Sequence, residues 1–227
     1  MEVTSMQKSC VATGTLNPEG ASLGTPNTER QTPSAERETP NAGPSIGFKE
    51  WALVCESMLR GETSLIFRKG GIAEGRDGFR FKFERFFLFP TYFHEQIDRL
   101  RLDAFRASSP QTEPVIVTGV AEVEFTSWVD NLRAIEPLEP LHVLKPTVLE
   151  ERFRYNNREG FHLAFIRVYK LCEPWRFPFQ RSYGGCRSWV HLPTPPVELQ
   201  LAPVLSEGEQ ARRRALVRRV IQMANSK

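Results

Sequence analysis

Three segments of this chain have the residue pattern of β-strands, and they constrain its fold more than any other feature. Residues 79–89 read FRFKFERFFLF, residues 115–125 read VIVTGVAEVEF and residues 161–171 read FHLAFIRVYKL. Alternating apolar and charged side chains point to opposite faces of a strand, so the phenylalanines of the first segment face a core. Helical patterns are interspersed among these strands without regular βαβ spacing. The sequence therefore predicts an α+β fold with a mostly antiparallel sheet and flanking helices.

Composition divides the 227 residues into three parts. Residues 1–47 are rich in Ser, Thr, Pro, Gly, Asn and Glu and contain almost no aromatic residues. Such a segment buries too little apolar area to offset an ordering cost of about 1–2 kcal/mol per residue. We predict a disordered tail over 1–47, a single α+β domain over 48–205 and a basic carboxyl-terminal helix over 206–227.

The first part of the domain predicts a helix followed by a hairpin. Apolar residues recur at helical spacing over residues 48–61, and Gly61 stands where such a helix would stop. Residues 63–69 (TSLIFRK) then form a short strand, and the glycine-rich loop 70–78 leads into the strand 79–89. We expect these two strands to pair as a wide hairpin.

Further elements follow from capping and periodicity. A helix is expected over residues 92–105, and another opens with the capping box Thr147-x-x-Glu150. Residues 186–192 (CRSWVHL) predict the final strand. The terminal helix has its own capping box, in which Ser206 and Glu209 stand three residues apart.

Three sequence blocks supply candidate ligand-binding side chains. Glycines let a ligand approach the backbone, arginines grip phosphate or carboxylate in a fork, and aromatic rings stack on bases. The loop GGIAEGRDG matches neither common phosphate-binding motif, so it is either a ligand contact or hairpin geometry alone. The candidates are Arg68, Lys69, Arg76, Tyr92, His94, Arg187 and Trp189.

The terminal helix is the most basic part of the chain. It is either a solvated cover helix or an electrostatic contact for RNA, DNA or an acidic partner. The residues that would make this contact are Arg212, Arg213, Arg214, Arg218 and Arg219.

Other classes of function have weaker support. Glu122 and Glu124 share a strand face, as in some metal-dependent phosphodiesterases, but no D/E-x-K triplet follows them. A hydrolase would rest on His94 alone. The four histidines lack metal-ligand spacing, so we predict no metal and no cofactor. A third alternative is a structural interaction protein whose motif blocks serve packing.

The location predicted for the chain is the cytoplasm. No run of eighteen apolar residues predicts a membrane span, and the amino terminus lacks the apolar segment of a secretory signal. The four cysteines form no C-x-x-C pair, which favours reduced thiols over a disulfide framework.

Several of these segments together resemble a bacterial family catalogued as domain of unknown function 1802. The resemblance covers roughly residues 48–192, and it implies no activity. It is carried by KEWALVCESMLRGETSLIFRKGGIAEG, FFLFPTYFHEQ, FIRVYKL and YGGCRSWVHL.

A fainter resemblance links the chain to ASCH domains, whose PUA-like β-barrel is thought to bind RNA. Their pattern is a helix, then G-x-K-x-x-E-x-R, then a strand. Gly61 and Arg68 occupy the matching positions, whereas Thr63 and Ile66 replace the lysine and the glutamate. The resemblance implies a strongly curved, barrel-like sheet. The leading functional prediction is a non-enzymatic module that binds nucleic acid or an anionic small ligand, of unknown oligomeric state.

Overall fold

A seven-stranded sheet forms the centre of the structure. The computed structural model describes residues 45–69, 79–92, 94–101, 113–155, 158–195 and 198–225, without the side chains of 94, 95 and 225. Most of the expected tail, the glycine-rich loop 70–78 and the end of the expected helix 92–105 lie outside the described residues.

The sheet is open and mixed. Its order is β2-β5-β4-β3-β1-β6, and β7 shares with β2 the free side of β5. Strands β1 and β3 run parallel, and the other pairings are antiparallel. The strands are β1 (Ile46–Trp51), β2 (Leu65–Arg68), β3 (Arg85–Thr91), β4 (Val115–Val129), β5 (Phe161–Phe177), β6 (Trp189–His191) and β7 (Leu201–Pro203).

The α+β class predicted from the sequence is confirmed, but the predicted form of the sheet is wrong in two respects. The sheet is mixed rather than mostly antiparallel, and it is neither closed nor strongly curled. In the described residues its outer strands β2 and β6 do not pair with each other. The parallel pair arises because β1, whose sequence predicts part of a helix, lies beside β3 in the same direction.

The first helix is shorter than predicted. Residues 46–51 form β1, and helix α1 spans only Ala52–Leu59. Phe48, Trp51 and Met58 fit both a helix stripe and a strand followed by a helix. The predicted helix end is confirmed, since Gly61 follows the cap residue with φ +75°, a conformation that favours glycine.

The predicted hairpin between the segments 63–69 and 79–89 does not form. Strand β2 pairs with β5, and β3 pairs with β4 and β1, so two strands separate β2 from β3. Residues 79–84 are not in a strand, although Phe79 is buried and Arg80 is exposed as the alternation predicts. The apolar pattern was correct, but the strand does not begin until Arg85.

The long strands β4 and β5 agree with the sequence pattern. Their pairing shifts register between Val117 and Gly119, where the lone glycine predicted a bulge or a close approach. A Cβ atom at Gly119 would lie 2.6 Å from Leu59 Cδ2 and 3.0 Å from the Tyr169 carbonyl oxygen. Glycine is therefore required at this point by its neighbours.

The predicted start is wrong for the second α-helix and confirmed for the terminal one. Helix α2 spans Pro146–Arg154 and has Lys145 as its cap residue, so the box predicted at Thr147 is wrong. Helix α3 spans Glu207–Asn225, and Ser206 Oγ accepts from the Glu209 amide at 3.3 Å, as predicted. Residues on three further segments form 3₁₀ helices, namely His94–Arg99, Leu132–Leu141 and Arg181–Tyr183.

Two apolar clusters lie on the two faces of the sheet. In β3, Phe86 and Leu88 belong to the larger cluster, whereas Phe89 belongs to the smaller one and Phe87 packs against it. Helix α3 contributes the buried Val217 to the larger cluster. None of the helices in the described ranges is both long enough and apolar enough to cross a membrane.

Candidate functional site

The site is centred on the ring of Phe48, in the middle of β1. Phe48 is fully buried, and its register partner in β6 is Trp189, whose ring centroid lies 4.8 Å away. The Arg68 guanidinium, at the end of β2, lies over the same ring at 4.9 Å. The structure therefore brings together two predicted candidates, Arg68 and Trp189, that are 121 positions apart in the sequence.

A buried carboxylate holds the Arg68 guanidinium in place. Glu50, two residues after Phe48 and on the same face of β1, is only 2% exposed. Its Oε2 lies 3.1 Å from Arg68 Nη2, which also donates to the Lys49 carbonyl at 2.5 Å. The other oxygen, Oε1, accepts from the Trp51 amide at 2.9 Å. One carboxylate oxygen thus accepts a hydrogen bond, and the other forms an ion pair.

A second guanidinium adds positive charge to this cluster. Arg152 of α2 lies over the Trp51 ring at 5.0 Å and donates to the Phe67 carbonyl at 2.8 Å. Burial lowers the pKa of Arg152 to about 10, although the nearby Glu50 carboxylate opposes this shift. Arg152 stays charged at neutral pH, so two cations, Arg68 and Arg152, surround one carboxylate.

Two donors in this region have no acceptor. Arg68 Nε and Trp189 Nε1 are both buried and have no hydrogen-bond partner among the described residues. A buried donor without a partner costs about 1–3 kcal/mol. Both belong to side chains that contact the Phe48 ring.

Aromatic rings enclose the Trp189 indole. Its centroid lies 5.1 Å from that of Phe83, 5.3 Å from Phe86 and 6.2 Å from Phe79, which is stacked nearly parallel to it. Phe83 is only partly buried. The aromatic cluster therefore reaches from the core toward the surface at residues 81–84.

Arg187 lies at a different place. Lys49 alternates with Phe48 along β1, so its side chain extends from the opposite face of the sheet. There Lys49 Nζ donates to the carbonyls of Gly184 and Gly185, at 3.0 and 2.9 Å. Burial lowers the pKa of Lys49, and the exposed Arg187 nearby lowers it further.

The other candidates of the central set are separate from Phe48. Lys69 Nζ donates to the Phe153 carbonyl at 2.5 Å, near the end of α2. Tyr92 lies near α1, where burial and the charges of Cys55 and Glu56 raise its pKa. Arg76 and the His94 side chain lie outside the described residues. Ligand binding by these residues stays a prediction.

The arginines of α3 fall into two groups. Arg213 donates to the Gly61 carbonyl and pairs with Glu209, and Arg214 pairs with Glu124, so both attach the helix to the domain. The remaining three arginines have exposed side chains. They are Arg212, Arg218 and Arg219.

The carboxylates of the nuclease alternative are engaged within the protein. Glu124 accepts from Arg214 and Gln210, and these bonds outweigh burial and lower its pKa. Glu122 accepts from the Tyr169 hydroxyl at 2.9 Å. Within the described ranges, no group of three or more His, Cys, Asp or Glu side chains is arranged to hold a metal ion.

The family comparison accounts for most of the folded chain. The model described as "Domain of unknown function (DUF1802)" matches residues 47–215. The chain belongs to this family. No curated protein sequence matches it. Membership of DUF1802 confirms the first resemblance seen in the sequence.

Solved structures similar to this DUF1802 domain include ASCH domains of Zymomonas mobilis. The match to one ASCH crystal structure covers 76% of this chain and 94% of the ASCH chain, at 12% identity and a TM-score of 0.41. A single-residue variant of the same protein covers 76% and 96%, at 13% identity and a TM-score of 0.39. ASCH is also the class of domain to which the sequence has its fainter resemblance.

Two residues of the cluster in this DUF1802 chain, Glu50 and Arg152, were not predicted from the sequence. Glu50 lies in β1, which was assigned to a helix, and the period-two series Ile46, Phe48, Glu50 was the signal that could have shown a strand. Nothing in the local sequence indicates that Arg152 of α2 approaches Glu50.

Proposed function

We propose that this protein is a binding module for an anionic ligand, and that the ligand binds beside Phe48. The observation that carries the proposal is the pair of buried donors, Arg68 Nε and Trp189 Nε1, which have no acceptor in the described residues and flank one ring. The oxygens of a bound phosphate or carboxylate would accept from them.

The charge of the site supports an anion over a neutral ligand. Arg68, Arg152 and Arg99 face the two carboxylates of Glu50 and Glu151, which leaves a partly buried excess of positive charge. Interactions between charges are strong where water is largely excluded. A guanidinium also binds phosphate or carboxylate through parallel N–H donors. Because Glu50 already holds Nη2 of Arg68, the position of Nε is fixed before a ligand binds, and binding requires no further ordering of this side chain.

Aromatic side chains favour a phosphate that is part of a nucleotide. Phe83 and Trp189 are partly exposed and lie 5.1 Å apart, and ring faces of this kind stack on bases. A single-stranded nucleic acid and a small free anion share the phosphate chemistry. The two ligands differ in whether the bases contribute to the binding affinity.

The test is a change that removes one donor and keeps an aromatic ring. Trp189→Phe is expected to weaken binding about tenfold or more, because it removes a hydrogen bond to a charged acceptor. Binding is measured by fluorescence polarisation with labelled single-stranded RNA and DNA over a salt series. Inorganic phosphate and ATP compete in parallel, so displacement by phosphate alone identifies a simple anion site.

Tyr183→Phe is the matched control. The Tyr183 hydroxyl is also buried without a partner among the described residues, but it belongs to the apolar cluster on the other face of the sheet. We expect this variant to bind as the parent does, with both variants checked for folding by thermal melts. Equal affinity of the parent and Trp189→Phe, or no binding of any probe at low salt, would refute the proposal.

A further inference from the structure

A groove runs along α3 on the side that faces the 3₁₀ helix Leu132–Leu141. It consists of two adjoining depressions of about 710 and 690 Å³, which share Leu216 and Arg219. The part of α3 that lines the groove extends from Glu209 to Ala224, which is roughly 22 Å at the rise of an α-helix. Its length and shape suit a second helix laid beside α3.

The floor of the groove is apolar and adaptable. Leu216 and Val220 of α3 face Ala134 and Pro137 of the 3₁₀ helix. Met223, at the end of the groove, is 69% exposed and is the most exposed of the large apolar side chains in the described ranges. Flexible methionine side chains are common on surfaces that bind helices.

The rim of the groove is positively charged. Arg133 and Arg219 are exposed, and neither forms an ion pair with any residue that the structure describes. Arg212 and Arg213 line the other end and share Glu209 as their carboxylate. Four arginines against one glutamate give a field that favours an acidic occupant and repels a second copy of this helix.

We propose that this groove docks an acidic amphipathic helix of a partner protein. Leucine-like side chains spaced at i, i+3, i+4 and i+7 would pack on Leu216, Val220 and Met223, in the way that a helix binds in a groove. Glutamates beside this stripe would meet Arg133 and Arg219. A nucleic acid fits less well because the floor has no aromatic ring on which bases could stack.

The probe for this test is a synthetic helical peptide of about 15 residues, the length that matches the groove. It carries leucines in the stripe and glutamates at the flanking positions, with a fluorescent label. A scrambled peptide of the same composition has the same charge without the stripe. A labelled single-stranded DNA of equal charge tests the other class of occupant.

Two single changes in the groove should weaken binding of the stripe peptide. Met223→Glu and Arg219→Glu are each expected to reduce its affinity about tenfold, since each removes a favourable contact and adds repulsion. Both side chains are exposed, so the fold should persist. The control Arg181→Glu makes the same charge reversal at an exposed residue outside the groove. The affinity of this variant for the stripe peptide is expected to stay within about twofold of that of the parent protein.

Three results would overturn the proposal. The first is equal binding of the stripe and scrambled peptides, which includes no binding of either. The second is an unchanged affinity in Met223→Glu. The third is DNA binding that is tighter than peptide binding and that Met223→Glu abolishes, which would assign the groove to nucleic acid.

Discussion

Replacement of Glu50 by glutamine is expected to lower the free energy of unfolding by about 3–5 kcal/mol. The glutamine keeps an oxygen for the Trp51 amide but removes the charge that faces Arg68 at 3.1 Å. Arg68 would then remain a partly buried cation without its carboxylate, and Arg152 would keep only the nearby charge of Glu151. Equilibrium unfolding in urea at pH 7 measures this loss.

A surface pair with similar geometry serves as the control. Glu62 lies 3.0 Å from Arg60, but both side chains are about one third exposed. Glu62→Gln is expected to cost under about 1 kcal/mol, since water and salt screen an exposed pair. If Glu50→Gln also costs less than about 1 kcal/mol, the charge of Glu50 does not organise the cluster beside Phe48.

Acid is expected to destabilise the protein through His142. This residue is 6% exposed, and its Nδ1 accepts from the Leu144 amide at 3.2 Å. Burial, together with the charges of Arg101 and Arg152, lowers the pKa of His142 from 6.5 to about 4. Below pH 6.5 the unfolded chain therefore binds a proton that the folded chain does not. Stability should fall between pH 6.5 and 4, by about 3 kcal/mol in total.

The variant His142→Asn isolates this contribution from the other titrating groups. Asparagine offers an oxygen near the position of Nδ1, so it keeps an acceptor for the Leu144 amide but does not titrate. Between about pH 7 and 4.5, the free energy of unfolding of the parent should fall by about 2–3 kcal/mol more than that of the variant. Parallel pH dependence of the two proteins would show that His142 does not carry the effect.

Elements with long, regular patterns could be predicted from the sequence. Strands β4 and β5 and helix α3 follow from periodicity over ten or more residues, and the bulge at Gly119 follows from a lone glycine in a strand. Short elements could not. Strand β1 passes directly into α1, so its apolar residues also satisfy helical spacing. Because β1 was not predicted as a strand, its parallel pairing with β3 could not be predicted either.

The site depends on contacts that local patterns do not encode. Residue types singled out Arg68 and Trp189, because arginine beside glycines and tryptophan beside a turn are common in binding sites. Their meeting at Phe48 requires the pairing of β1 with β6, which joins distant parts of the chain. Arg187 precedes β6, which begins at Trp189, and it lies near Lys49, whose side chain extends from the other face of β1.

The indole N–H of Trp189 provides the most direct measurement of the central claim. The chain has four tryptophans, so a ¹⁵N-labelled sample gives four indole signals, and the signal absent from Trp189→Phe belongs to Trp189. Single-stranded RNA and inorganic phosphate are titrated in separate samples. We predict that the Trp189 signal moves downfield, as its donor gains an acceptor, and saturates with the affinity measured by polarisation. A Trp189 signal that stays fixed while a ligand binds would contradict an anion site beside Phe48.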